Sequence, residues 1–255
     1  MSNPKNFYED YWQKREKNNL LHVQKGVSIP PRIRIAFNMI SGTNRVLNCI
    51  DIGCGEGTLG KLLKAKFGKS IFLVGCDISN TALKYASRYY DEILQVDLES
   101  DDLLNRFRDR KFDYIISLET LEHLFRPEKL VHNFHKLLAE SGEIIVSFPN
   151  IAWYKYRIQL LKGKFPEHYL LCPGEHIQYF TLHSFRELLQ KTGFNIFEMD
   201  GQFFFPKLFR SVKLFTPLLR KLPNLFGYQI VIKAKRKSSK DNELCDQEHS
   251  YDGMH

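Results

Sequence analysis

Short apolar runs recur along the chain, separated by longer stretches in which apolar positions return every three or four residues. VLNCID (46–51), IFLVGC (71–76), EILQV (92–96), FDYIIS (112–117) and EIIVSF (143–148) have the length of strands. None alternates strictly with polar residues, which predicts strands buried on both faces. Between them the helical period predicts a helix from about Thr58 to Phe67, another beginning near Asn80, and a third over Glu128–Leu138. Ser79 is placed to N-cap TALKYA, and Glu140-Ser141-Gly142 to stop the third helix before the fifth strand. The order βαβαβ specifies an α/β domain with a mostly parallel sheet and helices on both faces.

After Pro149-Asn150 the pattern changes. An aromatic and basic insertion, IAWYKYRIQLLKGKFPEHYLL, precedes a helix at about Leu182–Thr192 and a strand at Asn195–Met199. A second insertion, FFFPKLFRSVKLFTPLLRKLPNLF (203–226), leads to a last strand, GYQIVIKA (227–234). The chain therefore divides into an N-terminal helical lid segment (1–42), a domain (43–235) with insertions at about 150–178 and 203–226, and a tail (236–255) too poor in apolar residues to fold.

With 255 residues and 43% hydrophobic content the chain can bury one sizeable core. No apolar run approaches the roughly 20 residues of a membrane span. The opening MSNPKNFYEDYWQKREKNNL is too polar for a signal peptide, so a cytoplasmic protein is expected. The five cysteines include no CxxC pair, which argues against a disulfide framework or zinc knuckle; Cys49, Cys54 and Cys76 read as small buried thiols. The net charge of +8 is local: residues 201–240 hold ten Lys or Arg and no acid, leaving 27 basic against 29 acidic residues elsewhere. A near-neutral remainder argues against nucleic acid as the partner of the site.

Asp51-Ile52-Gly53-Cys54-Gly55-Glu56-Gly57 follows a predicted strand and opens a predicted helix, the context that gives a glycine turn meaning. Glycine permits the tight turn and lets backbone N–H groups approach a ligand. A dinucleotide fingerprint would need its third glycine at Thr58, and no phosphate-loop GKS or GKT follows. An acid beside the loop would repel a phosphate but suits a positively charged nucleoside. Asp77, ending the second strand, can accept both ribose hydroxyls, with Ile78 beside it; Asp97, after the third, can bond the exocyclic amine of adenine, with Leu98 lining the ring.

DIGCGEG, VGCDIS and VDLES resemble the motifs of class I S-adenosylmethionine-dependent methyltransferases over roughly Val46–Phe194. The resemblance implies a Rossmann-like seven-stranded sheet with an antiparallel last strand, and S-adenosylmethionine as cofactor. VSFPNIAWYKYRIQLL followed by HIQYFTLHSF looks like the methionine-biosynthesis W-protein group, whereas ETLEH looks like ubiquinone-biosynthesis O-methyltransferases.

Ligands of open sheets bind at the carboxyl ends of strands, which directs attention to Ser117–His123 after the fourth strand. No NPPY-like sequence stands there, against N-methylation of nucleobases. A hydroxyl acceptor must lose a proton, and His123 or His176 could take it. Glu119, Glu122 and His123 lie at i, i+3 and i+4 and could share one helical face. With His176 they could hold a divalent ion such as Mg, as the resemblance to E-x-x-E-H enzymes also implies; alternatively Glu119 contacts the methionine part of the cofactor while Glu122 and His123 orient a helix. Tyr8, Tyr11 and Trp12 could form an aromatic lid near a sulfonium or simply pack on the first helix. The basic, apolar 203–226 could touch an anionic membrane or pack on the sheet. Three functions remain open: O-methylation of a small or carrier-linked metabolite, ribose 2′-O-methylation of RNA, and a cofactor-binding partner role with little catalysis. No motif specifies the acceptor or the oligomeric state.

Overall fold

The five expected apolar runs become parallel neighbours. The computed structural model describes residues 4–24, 27–166, 176–204 and 220–237. In it β1 (Leu47–Ile52), β2 (Ile71–Asp77), β3 (Glu92–Gln95), β4 (Phe112–Leu118) and β5 (Leu138–Pro149) pair in parallel. β6 (Phe194–Phe203) and β7 (Gly227–Arg236) complete a seven-stranded sheet of order β3-β2-β1-β4-β5-β7-β6, with β7 antiparallel to both neighbours. This is the Rossmann-like arrangement expected, and β7 is its reversed strand.

Nine helices occur among the described residues: α1 (Pro4–Lys17), α2 (Pro31–Met39), α3 (Thr58–Phe67), α4 (Asn80–Ala86), α5 (Leu103–Arg106), α6 (Pro127–Leu137), α7 (Tyr154–Leu161), α8 (Leu182–Lys191) and α9 (Pro223–Phe226). Alternate strand residues feed two cores. Ile50, Ile52, Ile144 and Val146 join Phe134 of α6 and Phe185 of α8 on one face. Cys49, Ile116, Ile145 and Val231 join Met39 of α2 and Leu63 of α3 on the other. Ser79 caps α4 as expected, its Oγ accepting from Ala82 N at 3.2 Å. Cys49, Cys54 and Cys76 are buried and free; Cys172 and Cys245 lie outside the described residues.

Several boundaries differ from expectation. Glu140-Ser141-Gly142 does not stop a helix: α6 ends at Leu137, and these residues belong to β5. The ladder opens with Phe112 opposite Leu138 and resumes with Tyr114 opposite Glu143, so the intervening residues bulge. Gly142 makes this possible, since a Cβ there would lie 2.7 Å from the Phe112 carbonyl oxygen. β6 runs on to Phe203 because β7 keeps pairing beside it. β7 takes in Arg236, whose guanidinium donates to the Ala139 carbonyl at 2.6 Å, leaving the expected tail from 238 outside the described residues. Helix α7 forms inside the first insertion. Of the second insertion, residues 205–219 lie outside the described residues. No helix among those described is long and apolar enough to cross a membrane.

Two charged ties secure the sheet. Asp113 accepts both guanidinium branches of Arg45 and the Asn48 amide, fastening the start of β1 to β4. Lys233, 6% exposed in β7, places its ammonium 2.9 Å from Glu143 and over the rings of Tyr114 and Phe197.

Candidate active site

A cavity of about 680 Å³ opens at the carboxyl ends of β1, β2 and β4, within the size range of small-molecule sites. Its floor is the glycine turn. Gly53, Gly55 and Gly57 all adopt left-handed φ (77°, 54° and 86°), which explains the residue type. Space explains it further: a Cβ on Gly53 would meet Thr120 Oγ1 at 2.3 Å, and one on Gly55 would meet the Trp12 ring at 2.8 Å. The turn's glycine amides already have partners, however. Its N–H groups bond within the protein: Gly53 and Cys54 donate to the Cys76 carbonyl at 2.8 and 2.9 Å, Gly55 donates to Asp77 Oδ2 at 2.9 Å, and Gly57 donates to the Cys54 carbonyl at 3.1 Å. The glycines supply room and shape, and Asp51, Asp77 and Asp97 join them in the cavity lining.

Asp51, Asp77 and Asp97 all line the cavity, with Ile78 and Leu98 between and beside the last two. Asp51 accepts the Tyr90 hydroxyl at 2.6 Å; burial, with Asp77 close by, pushes its carboxyl up to about 7 against the effect of that bond. Asp77 takes the Ser79 amide on Oδ1 and Gly55 on Oδ2, and burial also raises its pKa. Each of those oxygens keeps a second lone pair, the number two vicinal hydroxyls require. Asp97 takes the Glu99 amide on Oδ1.

Glu119 departs most from its sequence reading. It has φ 53°, left-handed and uncommon outside glycine, and its amide is fixed by Ser147 O and Oγ. The reversal sends its carboxylate toward α2 and β7, where Arg32 Nε lies 3.0 Å from Oε2 and Gln229 donates to Oε1. Burial raises its pKa despite these partners. Only from Leu121 does a single 3-10 turn begin (Leu121–His123), so Glu119 does not share a helical face with Glu122 and His123.

The other three candidates meet. Glu122, His123 and His176 each offer a ligating atom, and all of these lie within 4.8 Å of one another; Glu119 is not of the group. Glu122 is wholly buried, and its carbonyl accepts from Ile177 and Gln178 at 2.9 and 2.8 Å, which draws the residues after His176 against the turn. The two imidazole centroids are 4.8 Å apart, and Tyr8 of α1 packs edge-on against His123 at 5.7 Å.

Helix α1 roofs the cavity with Tyr8, Tyr11 and Trp12 and has no fully buried residue, so these rings face the cavity and are not core. Sequence reasoning missed Arg32, Tyr228 and Gln229, which reach the cavity from α2 and β7, and Arg15, His22 and Glu56 at its other end. No local spacing marks Arg15, His22, Arg32, Tyr228 or Gln229, which long-range packing brings in, whereas Glu56 lies inside the glycine motif itself.

The site fits S-adenosylmethionine. Backbone room, buried carboxylates suited to sulfonium and ammonium, a strand-end acid for ribose and apolar walls for a base are all present. Comparison with known proteins agrees. Residues 22–198 match the methyltransferase domain family. The ubiquinone biosynthesis O-methyltransferase of Coxiella burnetii is 24% identical over 202 residues, covering 78% of this chain and 82% of that protein. The juvenile hormone acid O-methyltransferase of Bombyx mori is 32% identical over 104 residues, 39% of this chain, and the match spans only 37% of that relative. A TehB-like SAM-dependent methyltransferase from Corynebacterium glutamicum (TM-score 0.54, 17% identity) and magnesium protoporphyrin IX methyltransferase from Synechocystis with bound SAH (0.53, 17%) share the fold over 92% of this chain and all of theirs. Fold, cavity and family match together place this chain among the class I S-adenosylmethionine-dependent methyltransferases.

Proposed function

We propose that the protein transfers a methyl group to a hydroxyl oxygen of a small or carrier-linked metabolite. The observation carrying this reading is the meeting of His123 and His176 beside buried Glu122 at the end of β4. The two O-methyltransferase relatives point the same way. S-adenosylmethionine supplies an electrophilic methyl group on a sulfonium. Asp77 would accept the ribose hydroxyls, Asp97 the adenine amine, and Ile78 and Leu98 would flank the base. Asp51, and Arg32 with Glu119, would face the methionine part. Most of the rate would come from holding donor and acceptor in line inside a cavity roofed by α1. One imidazole would take the acceptor's proton, with Glu122 beside it.

In a second arrangement the same three residues would instead hold a divalent ion, which would lower the pKa of the acceptor hydroxyl in place of a free imidazole base. One carboxylate and two imidazoles suit a metal that accepts nitrogen better than Mg, which prefers oxygen. Metal content of the purified protein, before and after chelation and in a His176→Ala variant, tests this directly.

Labelled S-adenosylmethionine should be offered with phenolic and sugar metabolites, RNA and lipids. Label is expected in a hydroxylated small molecule or lipid. His123→Ala and His176→Ala should each lower turnover by about 10²–10⁴ while leaving affinity for the demethylated cofactor unchanged. Label in RNA alone, or in no fraction despite tight cofactor binding, overturns the proposal. So does undiminished turnover in both variants.

A further inference from the structure

Helix α7 buries a single side chain, Tyr156. Its end and the turn after it expose Ile158, Leu160, Leu161 and Phe165, with Leu161 87% and Phe165 60% accessible. Isolated exposed apolar residues are ordinary, but four within eight positions on one tip are not. The polar residues among them are of one sign: Lys155, Arg157, Lys162 and Lys164 are exposed, and no acid occurs between 151 and 166. A protein partner or second copy that covered only the apolar residues would leave these cations unmatched. An anionic surface with an apolar interior meets both.

The tip also connects with the site. The Phe165 ring packs edge-on against Tyr179 at 5.3 Å, Tyr179 against His176 at 6.4 Å, and His176 against His123 at 4.8 Å. Phe125 and Ile177, both substantially exposed, line the cavity beside these histidines.

We propose that the 158–165 tip docks on an anionic phospholipid bilayer, with Leu161 and Phe165 entering the interface while the four cations meet lipid phosphates. Docked this way, the row of rings sets the cavity against the membrane, so the acceptor class becomes a hydroxylated molecule dissolved in the bilayer. That last step rests on the methyl-transfer reading; the docking does not. The location differs from the 203–226 segment suggested by composition, being built from residues whose exposure the structure gives.

Sedimentation of the full chain with phosphatidylglycerol-containing vesicles, against pure phosphatidylcholine, tests the docking. The wild type should pellet with the anionic vesicles at low salt and be released at high salt. Leu161→Glu with Phe165→Glu, and separately Lys162→Glu with Lys164→Glu, should each lower partitioning about tenfold or more. Calorimetry with the demethylated cofactor should show both variants folded and competent. Equal recovery with the two lipids overturns the proposal, as does variant binding like that of the wild type. A soluble dimer split by the Leu161 and Phe165 changes would assign the tip to a second copy and overturn it too. His176→Ala should pellet normally, so loss of its methyl transfer leaves the docking result intact.

Discussion

Two glutamates help hold helix α1 over the cavity. Glu9 accepts from Ser79 Oγ at 2.8 Å and from both the amide and hydroxyl of Thr81, so it grips the start of α4. Glu16 accepts the Tyr85 hydroxyl and sits 3.5 Å from Lys84. Glu9→Ala removes the first grip. Hydrogen bonds to a charged acceptor contribute about 1.5–3 kcal/mol each, but partial exposure and shared geometry bring the set toward the lower bound. A loss of about 2 kcal/mol is expected, a factor of about 30 in the closure of α1. Since Trp12 closes over Gly55, affinity for the demethylated cofactor should fall by up to that factor. The melting temperature should change little, because α1 buries no side chain in the core. Glu9→Gln keeps an acceptor oxygen and should recover part of the loss. Calorimetry reports affinity, and limited proteolysis reports whether α1 stays docked. If Glu9→Ala frees α1 to proteolysis while cofactor affinity holds at the wild-type value, the roof has no part in binding and the reasoning fails.

Gly55→Ala would force a Cβ into left-handed backbone and against Trp12; cofactor binding should be lost with the sheet intact, the backbone alone costing about 1–2 kcal/mol. Asp51, pushed up to about 7, binds its proton more tightly folded than unfolded, so it makes stability fall as pH rises from about 4 to about 7. Asp51→Asn should flatten that part of the stability profile, and should also weaken the gain in S-adenosylmethionine affinity expected as wild-type Asp51 ionises between about pH 6 and pH 8. Lys233→Met strands Glu143 and should cost about 1–3 kcal/mol in denaturant melts, with Glu143→Gln restoring part.

What could be read from the residues followed from locality. Asp51, Asp77 and Asp97 each end an apolar run, so a parallel sheet brings them to one edge whatever else the chain does. The three glycines were legible for the same reason, although their task was not: that Gly53 and Cys54 spend their N–H groups on Cys76 depends on the register of β1 and β2. Helical spacing misled at Glu119, because one residue with φ 53° breaks the face it was thought to share. His176 could be named but not placed; its position follows from the Ile177 and Gln178 bonds to Glu122 across more than 50 residues. Arg32 was invisible for a similar reason, since α2 finds its place by packing on β5, β6 and β7.

The inward bonding of the glycine turn has a kinetic consequence. A cradle whose shape is already set by its own carbonyls needs no rearrangement when a guest arrives or leaves. Among the described residues, traffic of fresh and spent donor then falls to the helical roof, which rests on polar latches. Turnover could be tuned by loosening or tightening that door, without disturbing the rigid interior on which alignment depends.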